Sequence, residues 1–361
     1  MPRRPPTVYL HIGPAKTGTT YLQEVLRRNQ SRLAELDVTF PYRPVDHFRA
    51  AVELRGIEFG GYRDPQTKGA WSRLTQEGLS AGTGKVVISH EVLAAATDEQ
   101  IDAAVRSLAP AEVHVVYGAR DLARQIPAVW QESLKNRRKR PYDRFVKAVL
   151  RSRSLRRSGA GFWRAQDAVA VLGRWAQHLP LDRIHVVTLP PRDAPAELLW
   201  TRFCAVLDID PHGFDLQVAR TNTSLTQAEA EVLRRLNRVL PEDLEWPEYE
   251  QLVKNRFNGI ADRGGRGDRL RVPARHRRRL LRQSRTIQGS LAQAGYDVVG
   301  DLGDLTPARE SFGPVRGMRQ VHVADVAIEL LAAALIEPAQ VSRSRRLQAH
   351  RWLGHLSRRG L

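Results

Sequence analysis

Thr7-Val8-Tyr9-Leu10-His11-Ile12-Gly13-Pro14-Ala15-Lys16-Thr17-Gly18-Thr19-Thr20 is the stretch on which the reading of the chain turns. Thr7 to Ile12 is a short run of β-branched and apolar residues, the make-up of a buried strand. Gly13, Pro14 and Gly18 then punctuate a tight loop. Beyond it, apolar residues recur at Leu22, Val25, Leu26, Leu33 and Leu36 with helical spacing. A strand, a glycine turn carrying hydroxyls and a helix together make an anion site. The first helical turn has free N–H groups and the positive end of the dipole, and glycines let backbone approach a phosphate. An ordinary strand–turn–helix connection that happens to hold a lysine is the competing account of the loop taken alone.

The place of the lysine sorts the kinds of phosphate loop. A Walker A loop, G-x-x-x-x-G-K-S/T, puts lysine directly after the second glycine, within reach of β- and γ-phosphates. Gly13 and Gly18 have that separation, but Thr19 stands where the lysine belongs and Lys16 lies inside the loop. The cation then sits beside the first phosphate. Pro14-Ala15-Lys16-Thr17-Gly18-Thr19-Thr20-Tyr21-Leu22 resembles the 5′-phosphosulfate loop of sulfotransferases that use 3′-phosphoadenylyl sulfate, P-K-S/T-G-T-T/S-W/Y-L, with Ala15 as one extra residue. The resemblance implies a P-loop NTPase-like fold and a donor site made of Gly13, Pro14, Ala15, Lys16, Thr17, Gly18, Thr19 and Thr20.

A second match lies about a hundred residues on. In Val115-Val116-Tyr117-Gly118-Ala119-Arg120-Asp121 a strand ends in arginine, as it does in the family, where an R-D/N-P-type turn binds the 3′-phosphate. The resemblance gives that role to Arg120, with an ion pair to Asp121 as the competing reading. The family often carries a serine eight residues later. Here the position is Ala128, and Arg124 and Gln125 are the candidates to compensate. Arg263, Arg266 and Arg269 have the composition of the family's R-K-G-type 3′-phosphate loop, although a solvated loop accounts for them as well.

Sulfuryl transfer needs a cation near the bridging oxygen, because the phosphate leaves with more charge than it arrived with. Lys16, the amides of residues 17–20 and the hydroxyls of Thr17, Thr19 and Thr20 meet that need. With one phosphate in the loop, a magnesium bridging two phosphates has no task, and no metal is expected. A general base must take the acceptor's proton. His90 and Glu91, in Ser89-His90-Glu91, are the first candidates and His47 is the alternative; a capping or surface position is the bland account of each.

Composition sets the outer limits. The 361 residues have room for one large α/β domain and an appendage. Hydrophobic content of 42% and charged content of 27% are those of an ordinary globular protein, and no apolar run approaches the roughly 20 residues of a membrane span. Met-Pro-Arg-Arg-Pro-Pro leads straight into the first strand without a signal peptide, so a cytoplasmic protein is expected. The single Cys204 is a core filler by its helical neighbours Leu199, Phe203 and Leu207. A net charge of +18 favours anionic ligands such as nucleotides and acidic glycans, nucleic acid, or an anionic membrane surface; a solvated, arginine-biased surface explains it equally. No DNA- or RNA-reading motif appears, and aromatics are not interleaved with the basic runs.

Strand patterns at Val38–Tyr42, Lys85–Ser89, Glu112–Tyr117 and Arg183–Thr188 alternate with helical patterns. These helices are expected at Phe48–Leu54, Leu122–Arg138, Phe162–Leu179 and Ala194–Leu207. That alternation predicts an α/β fold, a central parallel sheet flanked by helices in three layers. Ligands in such folds bind beyond the carboxyl ends of the strands, which would gather the 13–20 loop, Ser89-His90-Glu91 and Arg120 in one cleft. Further on, Ser224 and Gln227 have capping-box spacing before a helix to Leu240. Residues 258–272 read as a glycine–arginine loop, Pro273 opens a basic helix to Ala294, and Tyr296–Leu302 closes a domain of residues 1–305. Residues 306–361 are expected as a linker (306–321), an apolar helix (323–335) and an Arg-rich helical tail.

The function expected from all this is sulfuryl transfer from 3′-phosphoadenylyl sulfate to a hydroxyl or amine. The basic run Arg137–Arg140 hints at an anionic glycan or a glycolipid as acceptor. A P-loop nucleotide kinase or NTPase and a basic nucleic-acid-binding protein are the alternatives.

Overall fold

Alternation within each apolar run assigns every core side chain to one face of a sheet. In the computed structural model, which describes residues 5–58, 61–151, 160–218, 224–262, 268–314 and 323–332, the strands are β1 Thr7–Gly13, β2 Val38–Thr39, β3 Lys85–Ser89, β4 Glu112–Ala119, β5 Ile184–Thr188, β6 Val272–Pro273, β7 Asp297–Val299 and β8 Phe312–Gly313. Six of them form one sheet in the order β2-β3-β1-β4-β5-β7, and every pairing is parallel. The first strand of the chain, β1, therefore lies between β3 and β4 near the centre, with crossover helices linking them, as parallel pairing requires.

Val8, Leu10 and Ile12 of β1 join Val86 and Ile88 of β3, Val115 and Tyr117 of β4, and Ile184 and Val186 of β5 in one buried cluster. The helices Asp98–Ser107, Leu122–Lys135, Ala168–Trp175 and Arg277–Gln293 contribute apolar residues to the same cluster. The intervening residues Tyr9, Val87, Val116 and Val187 face the other way. They pack on Leu22, Val25 and Leu26 of the helix Thr19–Arg28 and on Trp200, Phe203 and Cys204 of the helix Leu198–Leu207. The outcome is the three-layer α/β fold that the strand and helix patterns predict, with both faces of the sheet covered.

Register puts the carboxyl ends of the central strands level. His11 lies opposite Ser89, Gly13 opposite Tyr117, and Ala119 opposite Thr188. The pairing of β1 with β4 slips between His11 and Gly13, which tips the following loop over β4.

Several element bounds differ from the sequence reading, each for a local reason. The helix expected over Phe162–Leu179 is two helices, Ala160–Gln166 and Ala168–Trp175, because Asp167 leaves helical geometry and its carboxylate accepts from the Ala170 N–H. The capping box is made by Thr226 and Glu229, two residues later than Ser224 and Gln227, with Thr226 N donating to Glu229 Oε2 at 2.7 Å. The cause is Leu225: it is buried, and its backbone N–H and C=O both bond to the Gln131 side chain. The basic helix starts at Arg277 rather than Pro273, since Val272 and Pro273 pair with Phe312 and Gly313. Residues 255–262, partly expected as loop, are helical. Residues 323–332 are helical too; the Arg-rich tail beyond them lies outside the described residues. No helix among the described residues is long and apolar enough to cross a membrane.

Candidate functional site

The 13–20 loop sits on the carboxyl ends of β1 and β4, and two glycines make its path feasible. Gly13 has φ +82°, and a Cβ there would lie 2.6 Å from the Glu91 Cβ. Gly118 on β4 carries no side chain where the loop crosses, and a Cβ would meet Thr17 Oγ1 at 2.8 Å. Gly13→Ala should therefore destabilise the protein by about 2–4 kcal/mol, combining left-handed strain with overpacking. Urea unfolding measures this directly, and a loss under 1 kcal/mol would contradict the close packing of loop on strand.

Inside the loop the backbone is clamped from three sides. Thr17, fully buried, donates its hydroxyl to the Pro14 carbonyl at 2.5 Å. Gln125 Nε2 donates to the Ala15 carbonyl at 2.6 Å, and Arg120 Nη1 to the Lys16 carbonyl at 2.6 Å. Lys16 has a left-handed backbone, φ +71°. The helix Thr19–Arg28 then begins at Gly18 with no side-chain cap, so no capping side chain occupies its first-turn N–H groups. Thr19 Oγ1 is buried and has no hydrogen-bond partner among the described residues. A loop with an unfilled donor at a helix start suits an anion.

Arg120, at the end of β4, is the second such group. Its Nε is buried without a partner. Burial, and then the neighbouring Arg124 guanidinium, push its pKa down to about 10, with Arg192 acting in the same direction. Arg120 opens on a cavity of about 360 Å³ whose walls also carry Arg124, Arg192, Arg269 and Arg271, against the acids Asp268 and Glu310. Five guanidiniums around one cavity repel one another, and a bound anion relieves that repulsion. Arg124 itself is anchored, bonding to the Asp121 carboxylate and donating to the Pro190 carbonyl at 2.9 Å. It lines the same cavity as Arg120 and Ala128. Arg263 and Arg266 lie outside the described residues.

The candidate bases separate clearly. Glu91 sits against Gly13, half-buried, beside the loop. His90 is next to it, with Nδ1 accepting from the Val92 N–H at 3.2 Å and its pKa lowered by burial. His47 is brought to the end of β3 but is fully buried. Its Nε2 lies 2.6 Å from the Pro41 carbonyl and its Nδ1 accepts from Ser89 N at 3.2 Å, while the ring stacks on Phe40 at 4.4 Å. With both nitrogens engaged by backbone, His47 has no atom left for a substrate proton, and its place is structural.

His47 and His11 also give the fold a pH dependence. Both are buried and their pKa values fall to about 4, chiefly through desolvation. The unfolded chain, with ordinary values near 6.5, takes up protons first as pH falls. Stability is thus intact above about pH 6.5 and declines toward pH 4, by up to roughly 3 kcal/mol per histidine. Denaturant unfolding at pH 7 and pH 4.5 measures the loss, and His47→Gln should shrink it; a flat profile would refute the assignment.

Sequence reasoning missed the group that touches Lys16. Glu132 Oε2, on the helix Leu122–Lys135, lies 2.5 Å from Lys16 Nζ. Gln125, Ala128 and Glu132 are spaced i, i+3 and i+7, so one face of that helix meets the loop. That periodicity was available in the sequence. Arg192 and Arg271 had no comparable signal, because only the folding of distant segments brings them to Arg120. Among the described residues no group of three His, Cys, Asp or Glu side chains is arranged to hold a metal ion.

No family model matches the chain, and no curated protein matches it in sequence. Among solved structures, it is similar to one described as a sulfotransferase from Alicyclobacillus acidocaldarius. The identity is 15% and the TM-score 0.37, over 70% of this chain and 96% of the other. So distant a likeness carries no weight in the site argument.

Proposed function

We propose that the protein is a sulfotransferase, moving a sulfuryl group from 3′-phosphoadenylyl sulfate to a hydroxyl or amine acceptor. One observation carries the reading: a single arginine, Arg120, donates to the Lys16 carbonyl and still holds an unpartnered Nε beside an arginine-walled cavity. The phosphosulfate-type loop and a site suited to a second phosphate are thereby joined. A donor with phosphates at both ends of one ribose fits that pairing better than a linear triphosphate.

In this reading the N–H groups of residues 17–20 and the Thr19 hydroxyl hold the 5′-phosphate, and Lys16 faces the bridging oxygen. The acceptor oxygen bonds to sulfur while the sulfur–bridging-oxygen bond breaks, and that electron pair stays on the departing phosphate. Glu91 or His90 takes the acceptor proton. Arg120 and its neighbours bind the 3′-phosphate, and Arg263 is a further candidate for it. We take the acceptor to be an anionic glycan or a glycolipid, the enzyme to be cytoplasmic, and neither a metal nor a specific nucleic-acid partner to be required.

Calorimetry tests this. Adenosine 3′,5′-bisphosphate should bind tightly and without metal, whereas ATP with magnesium should bind weakly. The reverse ranking would favour a nucleotide kinase and end the sulfotransferase reading.

A further inference from the structure

We propose that Glu132 is the positioning residue for Lys16, holding its ammonium toward the leaving oxygen of the donor; the inference rests on the sulfotransferase reading above. The loop backbone leaves little else to adjust. The carbonyls of Pro14, Ala15 and Lys16 each accept a hydrogen bond from a side chain, so the one long side chain of the loop, that of Lys16, is the group left to be aimed. Its Nζ rests on Glu132 Oε2 at 2.5 Å, and the two side chains are 26% and 27% exposed, so a ligand in the loop can reach them.

The carboxylate is built to stay charged. Burial works against its ionised form, but Lys16, Lys135 and Lys254 outweigh it and hold its pKa below the ordinary value. Ala128, one turn earlier on the same helical face, offers only a methyl. Glu132 is the acidic group on that face, and it is the one that holds the ammonium.

An ammonium has three N–H donors. One satisfies Glu132 and fixes the direction of the other two, which remain for donor oxygens. Glu132 is also a negative charge close to where an anionic donor must sit. It therefore opposes donor binding while improving the aim of Lys16, and these two effects have opposite signs in a measurement. A merely structural residue would not separate them.

Steady-state kinetics and calorimetry on Glu132→Ala and Glu132→Gln make the test. With Glu132→Ala we expect kcat to fall at least tenfold while adenosine 3′,5′-bisphosphate binds at least threefold more tightly. Glu132→Gln, which keeps an acceptor oxygen at the same reach, should recover part of kcat. In the unliganded protein, acetylation of Lys16 by trace acetic anhydride, read by peptide mass spectrometry, should accelerate severalfold in Glu132→Ala. Unchanged turnover, or turnover and affinity falling together, would overturn the positioning role even where the wild type transfers sulfate. Wild-type protein that neither binds the bisphosphate nor transfers sulfate would overturn the sulfotransferase reading, and the role of Glu132 with it.

Discussion

Replacing Lys16 with alanine should lower sulfuryl transfer by two to three orders of magnitude and leave the folded state in place. The size follows from what Lys16 would do. A preorganised charge facing a developing anion, in a site fixed before the reaction, is worth about 2.7–4 kcal/mol of barrier. The backbone of Lys16 is held by Arg120 and by the neighbouring bonds of Ala15 and Thr17, none of which involves the ammonium. Glu132 keeps Lys135 and Lys254 nearby when Lys16 is gone. Urea unfolding should therefore move by less than about 1 kcal/mol, in the range of a partly exposed ion pair. Single-turnover transfer at saturating donor is the decisive measurement, and a rate within threefold of wild type would remove Lys16 from the chemistry.

Arg120→Met should act on binding. A guanidinium that pairs with a phosphate through two charge-assisted bonds, at roughly 1.5–3 kcal/mol each, accounts for two to four orders of magnitude in affinity for adenosine 3′,5′-bisphosphate. The unliganded protein should respond differently. There Arg120 is a buried cation crowded by Arg124 and Arg192, and removing it relieves repulsion while giving up the bond to the Lys16 carbonyl. Thermal unfolding without ligand should thus fall little, while the stabilisation that ligand adds should disappear. Affinity within tenfold of wild type would show that the arginine-walled cavity does not take the second phosphate.

The positions of those two residues were legible because Lys16 lies in the loop after β1 and Arg120 directly after β4, and strand ends in a parallel sheet can be read from apolar runs. Lys85–Ser89 was bounded correctly for the same reason: its run is all apolar inside, begins after Gly84 and ends at a polar turn. Helix bounds were harder. Asp167 and Leu225 each decide where a helix starts, one through its own carboxylate and the other through a bond from Gln131 more than ninety residues away. His47 was the alternative base, yet stacking on Phe40 and two backbone bonds engage both of its ring nitrogens. Such roles depend on which segments meet, and periodicity within one segment is silent about that.

The sheet is longest at its centre and shortest at its rims, from seven and eight residues in β1 and β4 to two in β2 and three in β7. A long exposed rim presents a row of free N–H and C=O groups onto which another chain can add a strand. Rims of two and three residues offer too few such groups to seat a visiting strand. Association with a protein partner, or with a second copy of this chain, is thereby directed away from sheet extension and toward the helices and loops. The backbone ladder is used up where it supports the 13–20 loop.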